Sequence, residues 1–171
     1  MTKLKLTFLF LSLLTFNSCG FYSFTGVDIG NAESFYVNFF QNTAPVVEPG
    51  IDRDFKFALE DLIQNQTSLS LATNAASADL IYGGEIVDYY FAPQTATSDD
   101  VAAQTRLTLV VLCSFTNKAI EDGSADFEKR FSFFVDLPGT AQPVGSALDS
   151  ALEEIFERIT QDIFQASLAN W

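Results

Sequence analysis

Apolar and polar residues alternate along four stretches of the chain, a pattern typical of β-strands. The predicted strands cover residues 33–41, 79–91, 105–116 and 126–137, and Leu69 and Leu71 indicate a further short one. In the first strand, Phe35, Val37 and Phe39 are predicted to point one way and Tyr36, Asn38 and Phe40 the other. The last two strands flank a short acidic turn and are predicted to form an antiparallel hairpin.

Two further stretches carry apolar residues at helical spacing. One begins at Asp52, a good N-cap residue, and the other runs from about Ser146 to Leu168. Each has one apolar stripe and a charged opposite side, so each packs on one side only. The order strand-helix-strands-helix therefore predicts an α+β two-layer sandwich. Its two helices pack on one face of a mainly antiparallel, roughly four-stranded sheet.

The second face of this sheet is predicted to be apolar as well. A solvated sheet face is normally more polar than this, so we expect a partner to dock there. Loops, the segment before the first strand or Trp171 are the alternative covers for this face. The two glycines at 83 and 84 indicate a bulge or a close backbone approach. Strict alternation assigns seven apolar residues to the second face: Ile81, Val87, Tyr89, Phe91, Val110, Leu112 and Phe134.

The start of the chain has the pattern of an export signal. Lys3 and Lys5 precede an apolar run from Leu6 to Phe16, which is shorter than the roughly 20 residues that span a bilayer. Ser18-Cys19-Gly20 follows and resembles the lipobox of bacterial lipoproteins, in which the cysteine is acylated. We predict a lipoprotein signal peptide at 1–18, a lipidated tether at 19–32 and a single α/β sandwich domain at 33–171. An ordinary signal peptide with a chance cysteine is the alternative.

Charge and composition exclude several classes of function. The net charge is −13 and becomes −15 once residues 1–18 are removed, so binding to nucleic acid is excluded. The chain has no histidine, which removes the commonest general base and metal ligand. No Gly-x-Ser-x-Gly motif is present either. Cys113 lies in an apolar strand and is predicted to be a buried, inert thiol. We therefore predict no enzyme activity, no cofactor and no metal.

Several short motifs, spread over the chain from Cys19 to its end, together resemble one family. They are Cys-Gly-Phe-Tyr-Ser-Phe-Thr-Gly at 19–26, Tyr-Val-Asn-Phe-Phe-Gln-Asn-Thr-Ala-Pro-Val-Val at 36–47, Gly-Glu-Ile-Val-Asp-Tyr at 84–89, Arg-Leu-Thr-Leu-Val-Val at 106–111, and the ending Asn-Trp. In this order they resemble the LptE family of outer-membrane lipopolysaccharide-assembly lipoproteins, in its Bacteroidetes version. The resemblance implies a small α/β sandwich that plugs the large β-barrel LptD, helps assemble it and helps deliver lipopolysaccharide to the outer leaflet.

The resemblance also implies partners and a location. The expected partners are an LptD-like outer-membrane β-barrel, lipopolysaccharide and, through the acylated cysteine, the membrane. The protein would be anchored in the outer membrane, facing the periplasm or lying within the barrel lumen. The seven residues of the second face would then face the barrel. The alternative function is that of a free outer-membrane lipoprotein that carries an apolar or lipid ligand between its helices and its sheet.

Members of the family that bind lipopolysaccharide use basic residues, and this chain has few. The candidates are Arg106, Lys118, Lys129 and Arg130. Lys129 and Arg130 are adjacent in a strand, so their side chains are predicted to point to opposite faces. Ordinary surface charges or local ion pairs are the alternative reading of all four. The strong acidity would instead complement a basic barrel lumen.

Overall fold

The computed structural model describes residues 31–46, 48–94 and 103–169. The predicted signal peptide, Cys19 and all but the last two residues of the predicted tether lie outside these ranges. The described elements are β1 (Ser34–Asn42), α1 (Ile51–Gln66), β2 (Ser70–Leu71), a 3-10 turn (Ala75–Ser77), β3 (Leu80–Gln94), β4 (Gln104–Asn117), β5 (Phe127–Pro138) and α2 (Ser146–Leu168).

The strands form one five-stranded mixed sheet in the order β2-β1-β3-β4-β5. The long strands β3, β4 and β5 pair antiparallel, which includes the predicted hairpin. β1 runs parallel to both of its neighbours, because α1 and the turn after it carry the chain back to the other end of the sheet. The predicted α+β sandwich is confirmed, with the two-residue β2 as its fifth strand.

Both helices pack on the same face of the sheet and share one core with it. Phe55 of α1 meets Phe40 of β1 and Phe156 of α2 edge to face, with ring centroids 5.0 and 5.6 Å apart. Phe55, Leu59 and Ile63 recur at helical spacing along α1 and are fully buried. Burial of each such side chain stabilises the fold by about 1.5–3 kcal/mol, so this stripe fixes α1 against the sheet.

An irregularity in β1 reverses the alternation that the sequence predicts. Val37 is paired with Tyr82 and Phe40 with Gly84, so two residues of β1 lie opposite one of β3. Phe35, Val37 and Phe40 therefore all point into the core, whereas Phe39 is 59% exposed. The prediction that Phe39 points the same way as Phe35 and Val37, and Phe40 the other way, is wrong, because a bulge moves every later side chain to the other face.

A second bulge does the same in β3. Ile86 is paired with Val111 and Asp88 with Val110, which leaves Val87 as the extra residue. Tyr89 is then 1% exposed and belongs to the core, and Phe91 packs against that core. The prediction that Tyr89 and Phe91 lie on the second sheet face is therefore wrong. Tyr90 occupies that face instead and is 41% exposed.

The predicted close approach occurs at Gly84. A Cβ atom at this position would lie 1.9 Å from the carbonyl oxygen of Leu112, and the φ angle of Gly84 is +148°. No side chain fits there, so β3 and β4 approach more closely than any residue but glycine allows. The predicted N-cap at Asp52 is wrong, because α1 begins one residue earlier and Gly50 is its cap.

Candidate functional site

The outer face is defined here as the face of β3, β4 and β5 that points away from the helices. The strand register sets its side chains in cross-strand rows of three. The rows are Tyr90-Thr108-Phe134, Asp88-Val110-Ser132 and Glu85-Leu112-Arg130. Apolar and polar side chains therefore share this face.

The outer face keeps five of the seven residues that the sequence assigns to it. Ile81, Val87, Val110 and Leu112 are half-buried and outside the helix-side core. Phe134 is 44% exposed and lies in the same row as Tyr90. The Arg106 guanidinium lies against the Phe134 ring, and both rings stand toward the end of the sheet where β3 ends and β4 begins. Two partly exposed aromatic rings beside aliphatic side chains form the kind of surface that marks a contact with another molecule.

An ion pair borders the aromatic part of the outer face. Nε and Nη2 of Arg106 donate to the two carboxylate oxygens of Asp136, at 2.7 and 2.8 Å. The same guanidinium lies 3.6 Å from the centre of the Phe134 ring. The hydrogen bond with Arg106 lowers the pKa of Asp136. Because the fork-like pairing and the ring hold the guanidinium in place, Arg106 is a preorganised contact residue.

The four basic residues predicted to contact lipopolysaccharide do not come together. Nζ of Lys118 donates to the carbonyl oxygens of Ala75 and Ala76, at 2.7 and 3.4 Å, and so ties β4 to the 3-10 turn. Lys129 and Arg130 are exposed on opposite faces of β5, as predicted. Arg106 and Arg130 are both on the outer face, but six residues along the strands, roughly 20 Å, separate their rows. Their contact with lipopolysaccharide stays a prediction.

A groove of about 590 Å³ runs between the two helices, on the side of the helix layer that faces away from the sheet. Its lining comes from the two helices and the segment before α1, with no strand residue. This groove is not the space between helices and sheet in which a carried ligand was expected. The apolar lining residues are Pro49, Ile51, Ala58, Leu62, Leu152 and Phe156, and the carboxylates are Glu48, Asp54, Asp149, Glu153 and Glu157.

Two groups of the hydrophobic core have raised pKa values. Burial raises the pKa of the Cys113 thiol to about 12, so it stays protonated, as expected of an inert core thiol. Burial, and then the neighbouring Glu48 carboxylate, raises the pKa of Tyr89 to about 12. The buried Tyr89 hydroxyl lies beside the Glu48 carboxylate, but the geometry of the two groups falls short of a regular hydrogen bond. Within the described ranges, no three acidic or cysteine side chains are grouped so as to hold a metal ion.

Sequence reasoning missed two features of these surfaces. Tyr90 was missed because nothing at Val87 marks a bulge, and strict alternation put Tyr90 in the core. The groove was missed because its carboxylates have the periodicity of an ordinary solvated helix face. Only the joint position of α1 and α2 brings these carboxylates together. Neither helix has the length and hydrophobicity needed to cross a bilayer, so far as the chain is described.

Residues 32–167 match the family model of LptE, described as lipopolysaccharide-assembly. No curated protein matches the sequence. Among solved structures, lipoprotein B from Nitrosomonas europaea is 17% identical, with a TM-score of 0.49, over 86% of this chain and 90% of that one. A hypothetical protein from Chlamydia trachomatis is 10% identical, with a TM-score of 0.53, over 80% of this chain and 98% of that one. At such identities the likeness concerns the fold alone.

Proposed function

Because the chain belongs to the LptE family of lipopolysaccharide-assembly proteins, we propose that it plugs an LptD-like β-barrel of the outer membrane. In this proposal it helps the barrel to assemble and takes part in transport of lipopolysaccharide to the outer leaflet. Acyl chains on Cys19 anchor it in the outer membrane, and residues 33–171 face the periplasm or lie within the barrel lumen. Its work is binding, with no catalytic step.

The observation that carries this proposal is the outer face. A sheet that packs helices on one face and stays partly apolar on the other has a surface suited to a second contact. Tyr90 and Phe134 supply exposed aromatic rings, and Arg106 supplies a fixed guanidinium beside them. Aromatic residues and arginine dominate the binding energy of many protein interfaces. We propose that this cluster meets the inner wall of the barrel, with Ile81, Val87, Val110 and Leu112 around it.

The distribution of the basic residues favours a secondary role for this protein in binding lipopolysaccharide. Arg106 is already paired with Asp136, and Lys118 with two backbone carbonyls, so neither is free to meet a phosphate. Lys129 and Arg130 remain as exposed single charges on β5. A single exposed charge binds a phosphate weakly. In this proposal the barrel and the plug together hold the lipid.

The test is co-purification of the tagged full-length protein from detergent-solubilised outer membranes, with partners identified by mass spectrometry. The proposal predicts recovery of one large barrel protein near equal stoichiometry. A preparation that keeps other outer-membrane complexes intact and yields this protein alone would contradict it.

The same preparation tests the alternative, a free lipoprotein that carries an apolar or lipid ligand. That alternative predicts a monomer with a bound lipid and no barrel. Lipid extraction of the purified protein, followed by mass spectrometry, distinguishes it from a plug.

A further inference from the structure

The groove between α1 and α2 combines an apolar floor with an acidic rim. Ile51, Leu152 and Phe156 are among the apolar residues of its lining, and five carboxylates surround them. A volume of about 590 Å³ lies in the range of about 300–1,000 Å³ that ligand pockets occupy. This concavity therefore has room for a few side chains of another molecule.

The rim carries uncompensated negative charge. No lysine or arginine lines the groove. Asp54 forms an ion pair with Arg53, at 2.9 Å, but within the described part of the chain the other four carboxylates take part in no salt bridge. Like charges around one concavity repel each other, and a cation placed among them relieves that repulsion. The groove is therefore complementary to a ligand that is positive as well as apolar.

The chain itself does not supply such a ligand. Outside the described ranges its only basic residues are Lys3 and Lys5, both within the predicted signal peptide. The segments 19–30, 95–102 and 170–171 contain no lysine or arginine, and the first two contain acidic residues. The anionic phosphates of lipopolysaccharide are repelled by the rim as well. The occupant therefore comes from another molecule of opposite charge.

We propose that this groove binds a basic amphipathic segment of a partner protein. Apolar side chains of that segment lie on the floor beside Leu152 and Phe156, and its lysines or arginines meet Glu153 and Glu157 on the rim. The site goes beyond the proposed function, because it lies in the helix layer and does not depend on what the outer face contacts.

A synthetic peptide tests the site directly. The probe is a 14-residue amphipathic helix of leucine and lysine, immobilised on a sensor surface, over which the full-length protein flows in non-ionic detergent. We expect the protein to bind this peptide and not its leucine–glutamate counterpart. The double variant Glu153→Gln/Glu157→Gln should weaken binding roughly fivefold or more, since each exposed ion pair contributes up to about 1 kcal/mol.

The matched control is Glu154→Gln/Asp162→Asn, which removes two exposed charges from the same helix outside the groove. Binding by this control should equal that of the unchanged protein. Equal losses in the two double variants would overturn the proposal, because binding would then follow net charge alone. A lysine–serine peptide of the same charge should bind more weakly, and equal binding of that peptide would also overturn it.

Discussion

At the residue scale, Gly84 is where the sheet leaves least room for a side chain. Gly84→Ala would place a methyl group 1.9 Å from the carbonyl oxygen of Leu112, so β3 and β4 must separate there. We expect this substitution to lower the free energy of unfolding by about 3 kcal/mol or more, measured by chemical denaturation. Its control is Gly139→Ala, where φ is +96° but nothing lies within 4 Å of the added Cβ atom.

The control isolates the cost of backbone conformation from the cost of the clash. Gly139→Ala should cost only about 1–2 kcal/mol, because an alanine in a left-handed conformation is strained but meets no other atom. Equal losses in the free energy of unfolding for Gly84→Ala and Gly139→Ala would contradict this account, because the contact with the Leu112 carbonyl oxygen would then add nothing to the cost of the backbone conformation.

Asp79 ties the start of β1 to the start of β3. Its Oδ2 accepts hydrogen bonds from the backbone N–H groups of Glu33 and Ser34, both at 3.0 Å, and from the Ser34 hydroxyl at 2.7 Å. These bonds, that from Glu33 foremost, lower the pKa of Asp79 below its ordinary value of 3.8. The stabilisation is thus complete above about pH 4 and is lost as pH falls through the lowered pKa.

Asp79→Asn should therefore destabilise the protein at neutral pH, and the difference from the unchanged protein should shrink as pH falls toward 3. Thermal unfolding of both proteins between pH 7 and pH 3 measures this difference. Asp61→Asn, on the exposed side of α1 and outside this network, should show no such dependence. A difference for Asp79→Asn that stays constant over this range would refute the assigned role of the carboxylate.

At the element scale, the two bulges decide which side chains reach the core. The sequence predicts each strand and its approximate ends, because apolar alternation survives along each segment on either side of a bulge. It does not predict the bulges themselves, since neither Asn38-Phe39 nor Val87 carries a glycine or proline to mark it. A single extra residue then reverses the assignment of everything that follows, as happens at Tyr89 and Phe91.

Neighbouring tyrosines in β3 test this reversal. Tyr89→Ala should lower the free energy of unfolding by about 3–5 kcal/mol, because it leaves a cavity among Phe91, Leu109 and the rest of the core. Tyr90→Ala should cost less than about 1 kcal/mol, because Tyr90 lies on the outer face. Urea denaturation of the two variants gives both values. A larger loss for Tyr90→Ala than for Tyr89→Ala would contradict the bulge at Val87 and favour strict alternation.

At the scale of the whole molecule, the two layers present different surfaces. The helices α1 and α2 carry nine acidic residues and three basic ones, so the helix layer is strongly negative. The outer face is instead partly apolar, with aromatic rings and a fixed guanidinium. This division leaves a strongly acidic chain with one face on which aromatic and aliphatic side chains are available for contact.

The overall architecture followed from the sequence because one-sided helices and alternating strands leave few ways to pack. The family assignment followed from motifs and is confirmed by the match over residues 32–167. The candidate site was only partly predictable. Ile81 lies before the bulge of β3, and Val110 and Leu112 lie in the regular strand β4. Strict alternation therefore assigns these three residues to the correct face. Tyr90 and the acidic groove depend on registers and distances that the sequence pattern does not contain.

The most direct test of the central claim is recovery of the barrel by variants of the outer face. Tyr90→Ser/Phe134→Ser removes both exposed rings of that face, and Phe57→Ser/Val144→Ser removes two exposed apolar side chains elsewhere. Tagged full-length proteins are purified from solubilised outer membranes, and the barrel protein is quantified against each of them. We predict at least a fivefold loss of barrel for the outer-face variant and none for the control. Undiminished recovery with the outer-face variant would contradict the assignment of this face to the barrel.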